Sequence, residues 1–431
     1  MTLLLIGLVT SAFASSSINT SNTSFDVQPF RIDLMKAIPH LNALVEHTRL
    51  PEKALYPRAG IDFGIQLDFL RDLQTEWLNE YSWAKQEAGL NQLAQYTTTI
   101  EGQNVHFVHE KSQDKDAIPL LLLHGWPGSF QEFQPIIKPL TESWTSPAGK
   151  NVSYNVIVPS LPGFLFSSAP PQDWKNADTA RLFNTLMTEV LGYSTYALHA
   201  SDWGCDIGYE LYSSYNSSAR AAHFVTVPFT PPSPQEIANN NITLSDVAKV
   251  TQQRGVDWST IGIGYFTEQT YKPNDIGLAL TTTPSASWHG SAEPSSFVCE
   301  PLLLHIKFLR LTSNPRRVRS TSWNGTIRPN THRNPHRHVT VLPNGSFQSA
   351  AWIYAQNPGA FNRAYVKPAT DAPMFFSLFE YNMLYWPQAY IEKVGNLIFY
   401  KEHDFGGHFA GLDNPPALIE DLREMGVYFK P

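Results

Sequence analysis

Residues 200–204 read Ala-Ser-Asp-Trp-Gly, and residues 204–208 read Gly-Cys-Asp-Ile-Gly. Both frames put an acid at the centre of a run of small residues. That pattern suits a sharp strand-to-helix turn, where small neighbours let the backbone pass close by and the central side chain is pushed into the open. Serine hydrolases place a hydroxyl there, whereas both frames here hold Asp. A carboxylate in that position suits attack on an sp³ carbon bearing a leaving group, which yields an alkyl ester. Water activated by a base then cleaves the ester at its carbonyl. The strand "YALHA" ends at Ala200, which sets the turn on Asp202. Asp206 then falls one turn into the helix, where it caps or faces solvent. The plainer reading of Asp202, a helix N-cap, is outweighed by other parts that follow in the right order.

Such chemistry needs two backbone N–H donors for the developing oxyanion. The residue after the nucleophile, Trp203, supplies one. The loop "HGWPG" after the first buried strand supplies the other, by position Trp126. The base must come late in the chain, and "EHDFGGHFAGLDNPP" offers His403 and His408. Gly-Gly before His408 suits a loop that carries the ring to the turn, so His408 is the expected base.

These side chains require an alternation of strands and helices to hold them. A continuous apolar run at 118–123 reads as a buried strand. A helix, a second strand in "YNVIVPSLPGF", a helix at 178–192, the strand "STYALHA", the helix "CDIGYELYSSY" and the strand "AAHFVTVPF" follow in turn. That order predicts an α/β domain with a mostly parallel sheet flanked by helices. Residues 27–110 mix helical apolar spacing with polar residues. From about 231 to 370 the alternation fails, which predicts an insertion over the sheet. It returns with "NLIFYKEHDFGGHFAGL". The divisions are a leader at 1–14, a disordered polar tract at 15–26, an N-terminal segment at 27–110, core at 111–230, an insertion at 231–370 and core again at 371–431. Within the insertion, 314–346 is basic and His-rich, and reads as a solvated loop rather than an anion or metal site.

The chain has 431 residues, of which 42% are hydrophobic and 13% aromatic, so a sizeable core can form. A net charge of −7 without a basic stripe argues against nucleic-acid binding. The start "MTLLLIGLVTSAFA" resembles a secretory leader ending in an A-x-A-like cleavage site. The N-x-S/T sites at Asn19, Asn22, Asn151, Asn216, Asn241, Asn324 and Asn344 agree with secretion. An uncleaved leader would instead leave the protein in contact with the endoplasmic reticulum or another membrane. Cys205 and Cys299 read as two buried thiols rather than a disulfide framework.

Taken together, "HGWPGSF", "VPSLPGF", "SDWG", "GYFTEQTYKPNDIGLAL" and "NLIFYKEHDFGGHFA", with "FRIDL", "TRLP" and "EYSWAKQEAGLNQLAQYTTTIEGQNVHFVH", resemble microsomal-type epoxide hydrolases. The resemblance spans about 27–290 and 347–427. It implies an α/β-hydrolase fold with a lid and an N-terminal wrapping segment. It also implies an activity, the conversion of a small apolar epoxide and water to a vicinal diol without metal or organic cofactor, a detoxifying reaction. Two lid tyrosines would hydrogen-bond the epoxide oxygen and act as acids. Tyr265 matches the first and Tyr354 the second.

The chain departs from this family in three places. The acid that orients His408 is expected before a Pro-aromatic stretch. In "FFSLFEYNMLYWPQAY" it falls on Glu380 counting forward from Phe379, and on Asn382 counting back from Pro387. Strand alternation puts both on one side, and Glu380 is the expected partner. Residues 291–346 lack the family's lid helices. Leu165 stands in "LPGFLFS" where Gly is common. Two rival readings remain. In a haloalkane dehalogenase Trp203 would bind halide, but the N-terminal segment and the lid tyrosine motif do not fit. In a scaffold that has lost catalysis, the altered segment and Asn382 would be the cause.

Overall fold

A computed structural model describes residues 25–57, 66–281 and 346–430. The leader, the polar tract up to residue 24, Cys299 and nearly all of 291–346 lie outside the described residues. Among those described, nine strands form one sheet. They are β1 (Gln28–Pro29), β2 (Gln95–Ile100), β3 (Gln103–Glu110), β4 (Ile118–Leu123), β5 (Tyr154–Pro159), β6 (Tyr196–Ala200), β7 (Ala219–Phe224), β8 (Pro373–Tyr381) and β9 (Asn396–Gly407). In space they run β1-β2-β3-β5-β4-β6-β7-β8-β9. Pairs up to β3–β5 are antiparallel, and every later pair is parallel. The helices that matter here are α1 (Leu67–Asn79), α2 (Trp83–Leu90), α3 (Gln134–Thr141), α4 (Asn176–Thr185), α5 (Asp202–Ser214), α6 (Asp246–Asp257), α7 (Gly264–Tyr271), α8 (Ser346–Gln356) and α9 (Pro415–Tyr428).

The run "IPLLLL" is buried because β4 lies in the middle of the sheet and is covered on both faces. Leu120 and Leu122 pack into one apolar cluster, Leu121 and Leu123 into the other. The N-terminal segment holds helices, as its spacing suggests, but its last part, 95–110, is a hairpin. Glu101 and Gly102 turn it with φ of 50° and 76°. Positive φ at both central residues is the two-residue turn whose twist matches paired strands. The hairpin extends the main sheet through β3 and β5. Residues 32–34 are tied to α2 by side chains that imitate a strand partner. Asn91 accepts from Ile32 N–H and donates to Ile32 C=O, each at 2.9 Å, and Glu87 accepts from Leu34 N–H at 2.8 Å. Leu165 takes φ of 47°, the region where Gly has no steric penalty, so the departure from Gly at this loop carries backbone strain.

The strand ends define one edge. Leu123 of β4 pairs with Ala200 of β6, and Ala200 pairs with Phe224 of β7. The loops after β4, β6 and β7 therefore emerge side by side at the carboxyl ends of the strands, where open α/β sheets bind ligands.

Below that edge a chain of buried polar groups crosses β6, β7, β8, β9 and α9. Ser377 donates its hydroxyl proton to Asp421 Oδ2 at 2.6 Å. Its oxygen must then accept from His223 Nε2, 2.8 Å away. His223 Nδ1 is left as acceptor for His199 Nδ1 at 2.8 Å. His403 Nε2 and Lys401 Nζ meet the same Asp421 carboxyl at 2.6 and 2.9 Å. Burial pulls the His223 ring down to about 4, and His106 and His124 to about 3 and 4. Although burial opposes it, hydrogen bonds from His403 and Ser377 and the charges that the His223 and His403 rings take up in acid hold Asp421 at about 2. For each group the unfolded chain binds protons that the folded chain refuses. Stability is thus complete near neutrality, falls as pH drops from about 6.5 to 4 for the histidines, and falls again below 3.8 for Asp421. The melting temperature should drop by about 5 °C or more between pH 7 and pH 4.5. Scanning calorimetry across that range checks this, and a flat profile would refute it.

Candidate active site

β6 is buried along its whole length, and its last peptide leads into Ser201, still extended at φ −134° and ψ 160°. Asp202 then turns to φ 48° and opens α5. A non-glycine residue in that region is strained, and local contacts hold it there. Asp202 N–H donates to Thr226 Oγ1 at 3.0 Å. Gly204 presses so closely on the end of β4 that a Cβ there would lie 2.4 Å from the Leu123 carbonyl oxygen.

The carboxylate faces two sides. Trp126 N–H donates to Oδ1 at 2.6 Å, and His408 Nε2 lies 3.0 Å from Oδ2. A Cβ on Gly125 would fall 2.0 Å from Oδ1 and 2.5 Å from the Trp203 nitrogen. The absence of a side chain at 125 is what lets the loop close over this oxygen, and the Trp203 amide nitrogen also lies against Gly125. His124 ties that loop to the next one by accepting from Leu161 N–H at 3.2 Å. Its lowered pKa leaves it the neutral ring this acceptor role needs. Under the turn, Ser201 donates to Glu132 Oε1 at 3.0 Å. Burial, only partly countered by that bond, pushes the Glu132 carboxyl well up.

On its other side His408 Nδ1 meets Asn382 Oδ1 at 3.1 Å. This corrects the expectation of Glu380. The alternation that placed both residues on one side assumes continuous strand. Asn382 N–H instead turns back to the Phe379 carbonyl at 2.9 Å, and pairing with β9 shifts between Phe379 and Tyr381. Asn382 is fully buried and its amide is oriented. Its Nδ2 donates to Val225 C=O at 2.7 Å, while Oδ1 accepts from Met383 N–H at 2.8 Å. The Glu380 backbone carbonyl accepts from Thr251 of α6 at 3.0 Å. Nearby, burial pulls the Arg254 guanidinium down, and Asp257, Asp413 and Glu380 push it back.

Asp206 also differs from expectation. It is 3% exposed, so it neither meets solvent nor caps. Arg363 Nε contacts its Oδ1 at 2.7 Å, and Asn176 Nδ2 donates to its Oδ2 at 2.8 Å. The second frame of the motif is thus an anchor for the chain returning from the insertion. His403 likewise belongs to the Asp421 network, away from Asp202.

Above Asp202 lies a cavity of about 500 Å³, lined by Trp203, Phe229, Trp258, Tyr265, Phe266 and Tyr354 among others. Tyr265 comes from α7 and Tyr354 from α8. Trp126 stacks on Tyr265 with centroids 5.4 Å apart, and Trp203 meets Tyr354 edge-on at 4.7 Å. Burial, followed by the charge of Asp202, raises the Tyr265 phenol far above its usual value. Burial, the neighbouring phenol and Asp202 do the same to Tyr354. Both remain proton donors at any neutral pH. Cys205 is buried as a free thiol. No cluster of metal-ligating side chains occurs among the described residues. The sequence reading missed Thr226, which shares the register of the turn, and Arg363, whose partner lies 157 positions away.

Residues 27–133 match the family described as epoxide hydrolase N terminus, and residues 118–253 match the alpha/beta hydrolase fold. Epoxide hydrolase 1 of Sus scrofa is 26% identical over 430 residues, covering 93% of this chain and 89% of that protein. The solved structure of Aspergillus niger epoxide hydrolase is 28% identical with a TM-score of 0.68, covering 95% of this chain and 98% of that one. The juvenile hormone epoxide hydrolase structure from the silkworm Bombyx mori shares the fold at a TM-score of 0.74 and 22% identity, over 93% and 94% of the two chains. An Asp at the strand-to-helix turn, faced by a late His and two tyrosines, occurs here on a chain with that N-terminal segment and that fold; the chain belongs to the epoxide hydrolases of the α/β-hydrolase superfamily.

Proposed function

We propose that the protein adds water to a small, apolar epoxide and releases a vicinal diol, with no cofactor. One observation carries this reading: a carboxylate at the turn is faced across an apolar cavity by two phenols. Trp126 N–H engages Oδ1, which leaves Oδ2 to attack a ring carbon. The carbon–oxygen bond breaks, and the electron pair goes to the epoxide oxygen, which Tyr265 and Tyr354 hold and protonate. The ester carbonyl is then Oδ1, which already accepts from the Trp126 N–H, with the Trp203 amide as its second donor. His408 takes a proton from water, the hydroxide adds at the ester carbon, and the two amides stabilise the oxyanion. The intermediate collapses by breaking the bond from the acyl carbon to Oδ2, which leaves with the diol and takes the proton from His408. The second water proton restores the phenol, and the Asp202 carboxylate is regenerated with the water oxygen. Apart from Asp202 and His408, no charged side chain lines the cavity among the described residues, which favours a neutral substrate. A haloalkane dehalogenase is disfavoured by the match of residues 27–133 to the epoxide hydrolase N terminus and by the two tyrosines that line the cavity.

The leader-like sequence at 1–14 and the exposed Asn151 and Asn241 sites favour a secretory route. No helix among the described residues is long and apolar enough to cross a membrane. Protein from a eukaryotic secretory host should shift on endoglycosidase digestion, and an unshifted band refutes glycosylation.

With a panel of epoxides, Asp202→Asn should abolish diol formation. Asp206→Asn should retain the chemistry but lose about 1–2 kcal/mol of stability in denaturant titration, because it removes one of the two carboxylates that hold Arg363 and leaves Glu210. Turnover lost in Asp206→Asn at intact stability, or no diol from folded wild type, would overturn the reading, the latter in favour of a scaffold without catalysis.

Asn382 sets the second half-reaction apart from the first. Asn382→Asp should accelerate ester hydrolysis by about tenfold, since a carboxylate stabilises the imidazolium formed as water is deprotonated. It should also cost about 1–3 kcal/mol, because Val225 C=O loses its donor. Glu380→Gln should leave both half-reactions within about twofold. Rapid-quench measurement of the alkyl-enzyme separates the two steps. A Glu380→Gln enzyme that stalls at the ester would return the orienting role to Glu380.

A further inference from the structure

Glu132 lies just beyond the loop that carries the Trp126 amide, in the helical turn Phe130–Phe133, and is 3% exposed. Its contacts reach all three segments of the site. Oε1 accepts from the Ser201 hydroxyl at 3.0 Å, directly before the nucleophile. Oε2 is pressed against Gly128, where a Cβ would fall on it; that Cβ would also lie 3.3 Å from the Gly125 carbonyl oxygen. The Glu132 carbonyl oxygen lies against Gly411, in the turn Ala410–Asp413 that follows His408.

Oε2 itself has no hydrogen-bond partner. Ser201 is the donor to this carboxyl, and the charges that act on it, those of Asp202 and Asp413, are negative. A carboxylate buried with one donor and no cation is too costly, so the group is the neutral acid. An orphaned oxygen still costs stability, and an apolar side chain of that size would fill the space without it. What singles out the carboxyl is its place behind the loop. On one side the loop at 125–128 meets Asp202 Oδ1 through the Trp126 N–H at 2.6 Å. On the other it rests on Oε2. It has no room to retreat from Asp202 while Glu132, fixed to Ser201, stands behind it.

We propose that Glu132 is a positioning residue that keeps the loop at 125–128 against Asp202, so that the Trp126 amide follows Oδ1 when that oxygen becomes the oxyanion. The proposal rests on the ester mechanism above. The two half-reactions depend on the loop differently. In ring opening Oδ1 loses charge as Oδ2 bonds to carbon, so a firmly held donor gives no advantage. In hydrolysis the water oxygen bonds to the ester carbon, its proton goes to His408, and the carbonyl electron pair goes to Oδ1. A donor accelerates the step in which charge grows on its acceptor.

The test is Glu132→Met, which keeps the bulk and removes the contact to Ser201, beside Glu132→Gln, which keeps shape and acceptor and carries no charge. Styrene oxide is the substrate. Alkylation is followed in a single turnover by the mass of the Asp202 adduct, hydrolysis by its decay, and stability by thermal melting. In Glu132→Met hydrolysis should slow by about 10- to 100-fold, with alkylation within about threefold of wild type and little change in melting temperature. Glu132→Gln should restore hydrolysis to within about threefold. Gly128→Ala, which aims a methyl group at Oε2, should also slow hydrolysis selectively, and should add little to Glu132→Met. Wild-type hydrolysis in a folded Glu132→Met enzyme overturns the proposal. So does equal slowing of both half-reactions, the signature of simple packing, or a Glu132→Gln enzyme as impaired as Glu132→Met. If Glu132→Met does not fold, Gly128→Ala decides: selective slowing of hydrolysis supports the proposal, and equal or no slowing overturns it. Should wild type form no adduct at all, the epoxide-opening reading fails, and this proposal with it.

Discussion

Everything at this site depends on the backbone of Asp202 standing in the left-handed region at the end of β6. For a residue with a Cβ that conformation costs about 1–2 kcal/mol. It is held because three neighbouring strands end in register. Leu123, Ala200 and Phe224 lie across from one another, so the Trp126 amide and the Thr226 hydroxyl arrive at Asp202 without adjustment. Gly125 and Gly204 allow the loops to close to distances that a methyl group would forbid. The carboxylate is thus oriented before any substrate enters, with one oxygen already where the oxyanion will form. Preorganisation of this kind avoids reorientation during reaction.

The electrostatics of the site are uneven between the two halves of the cycle. While Asp202 is ionised, the His408 ring has a negative partner at Nε2 and a neutral carbonyl at Nδ1. Once the ester forms, the negative charge on Asp202 is gone. The imidazolium made in hydrolysis then has only the Asn382 dipole and the developing oxyanion to stabilise it. In the proposed cycle ring opening does not depend on residue 382, whereas ester hydrolysis does. A neutral residue at that position therefore shifts the slow step toward hydrolysis rather than abolishing the reaction. The oriented Asn382 amide still holds the ring in place, which is half of what a carboxylate does there.

Much of this was legible in the sequence because it is local. A buried strand, a run of small residues and a helix predict the turn at Asp202. A Gly-Gly loop after the last strand predicts His408, and "HGWPG" predicts the Trp126 amide. What was not legible depends on contacts distant along the chain or on a local break in periodicity. Glu380 and Asn382 are separated only by a turn at the end of β8, and strand alternation carries no sign of that turn. Asp206 reads as a solvent-facing helix residue until Arg363 is brought to it from 157 positions away. The hairpin at 95–110 hides among helical spacings because its strands carry polar residues on one side, and only the Glu-Gly turn marks it.

The two overlapping frames divide the labour along one helix. Asp202 opens α5 and points into the cavity. Asp206, one turn later, is bound to Arg363, and Arg363 also holds Glu210 at 3.1 Å. Arg363 follows α8, the helix that carries Tyr354. The same return is fixed again where Asn357 Oδ1 accepts from Asn176 N–H at 2.9 Å, and where Lys175 Nζ donates to the Gln356 carbonyl at 2.6 Å. The position of the Tyr354 phenol relative to the Asp202 carboxylate is therefore set through α5 and α4 as well as through the packing of α8 on α7.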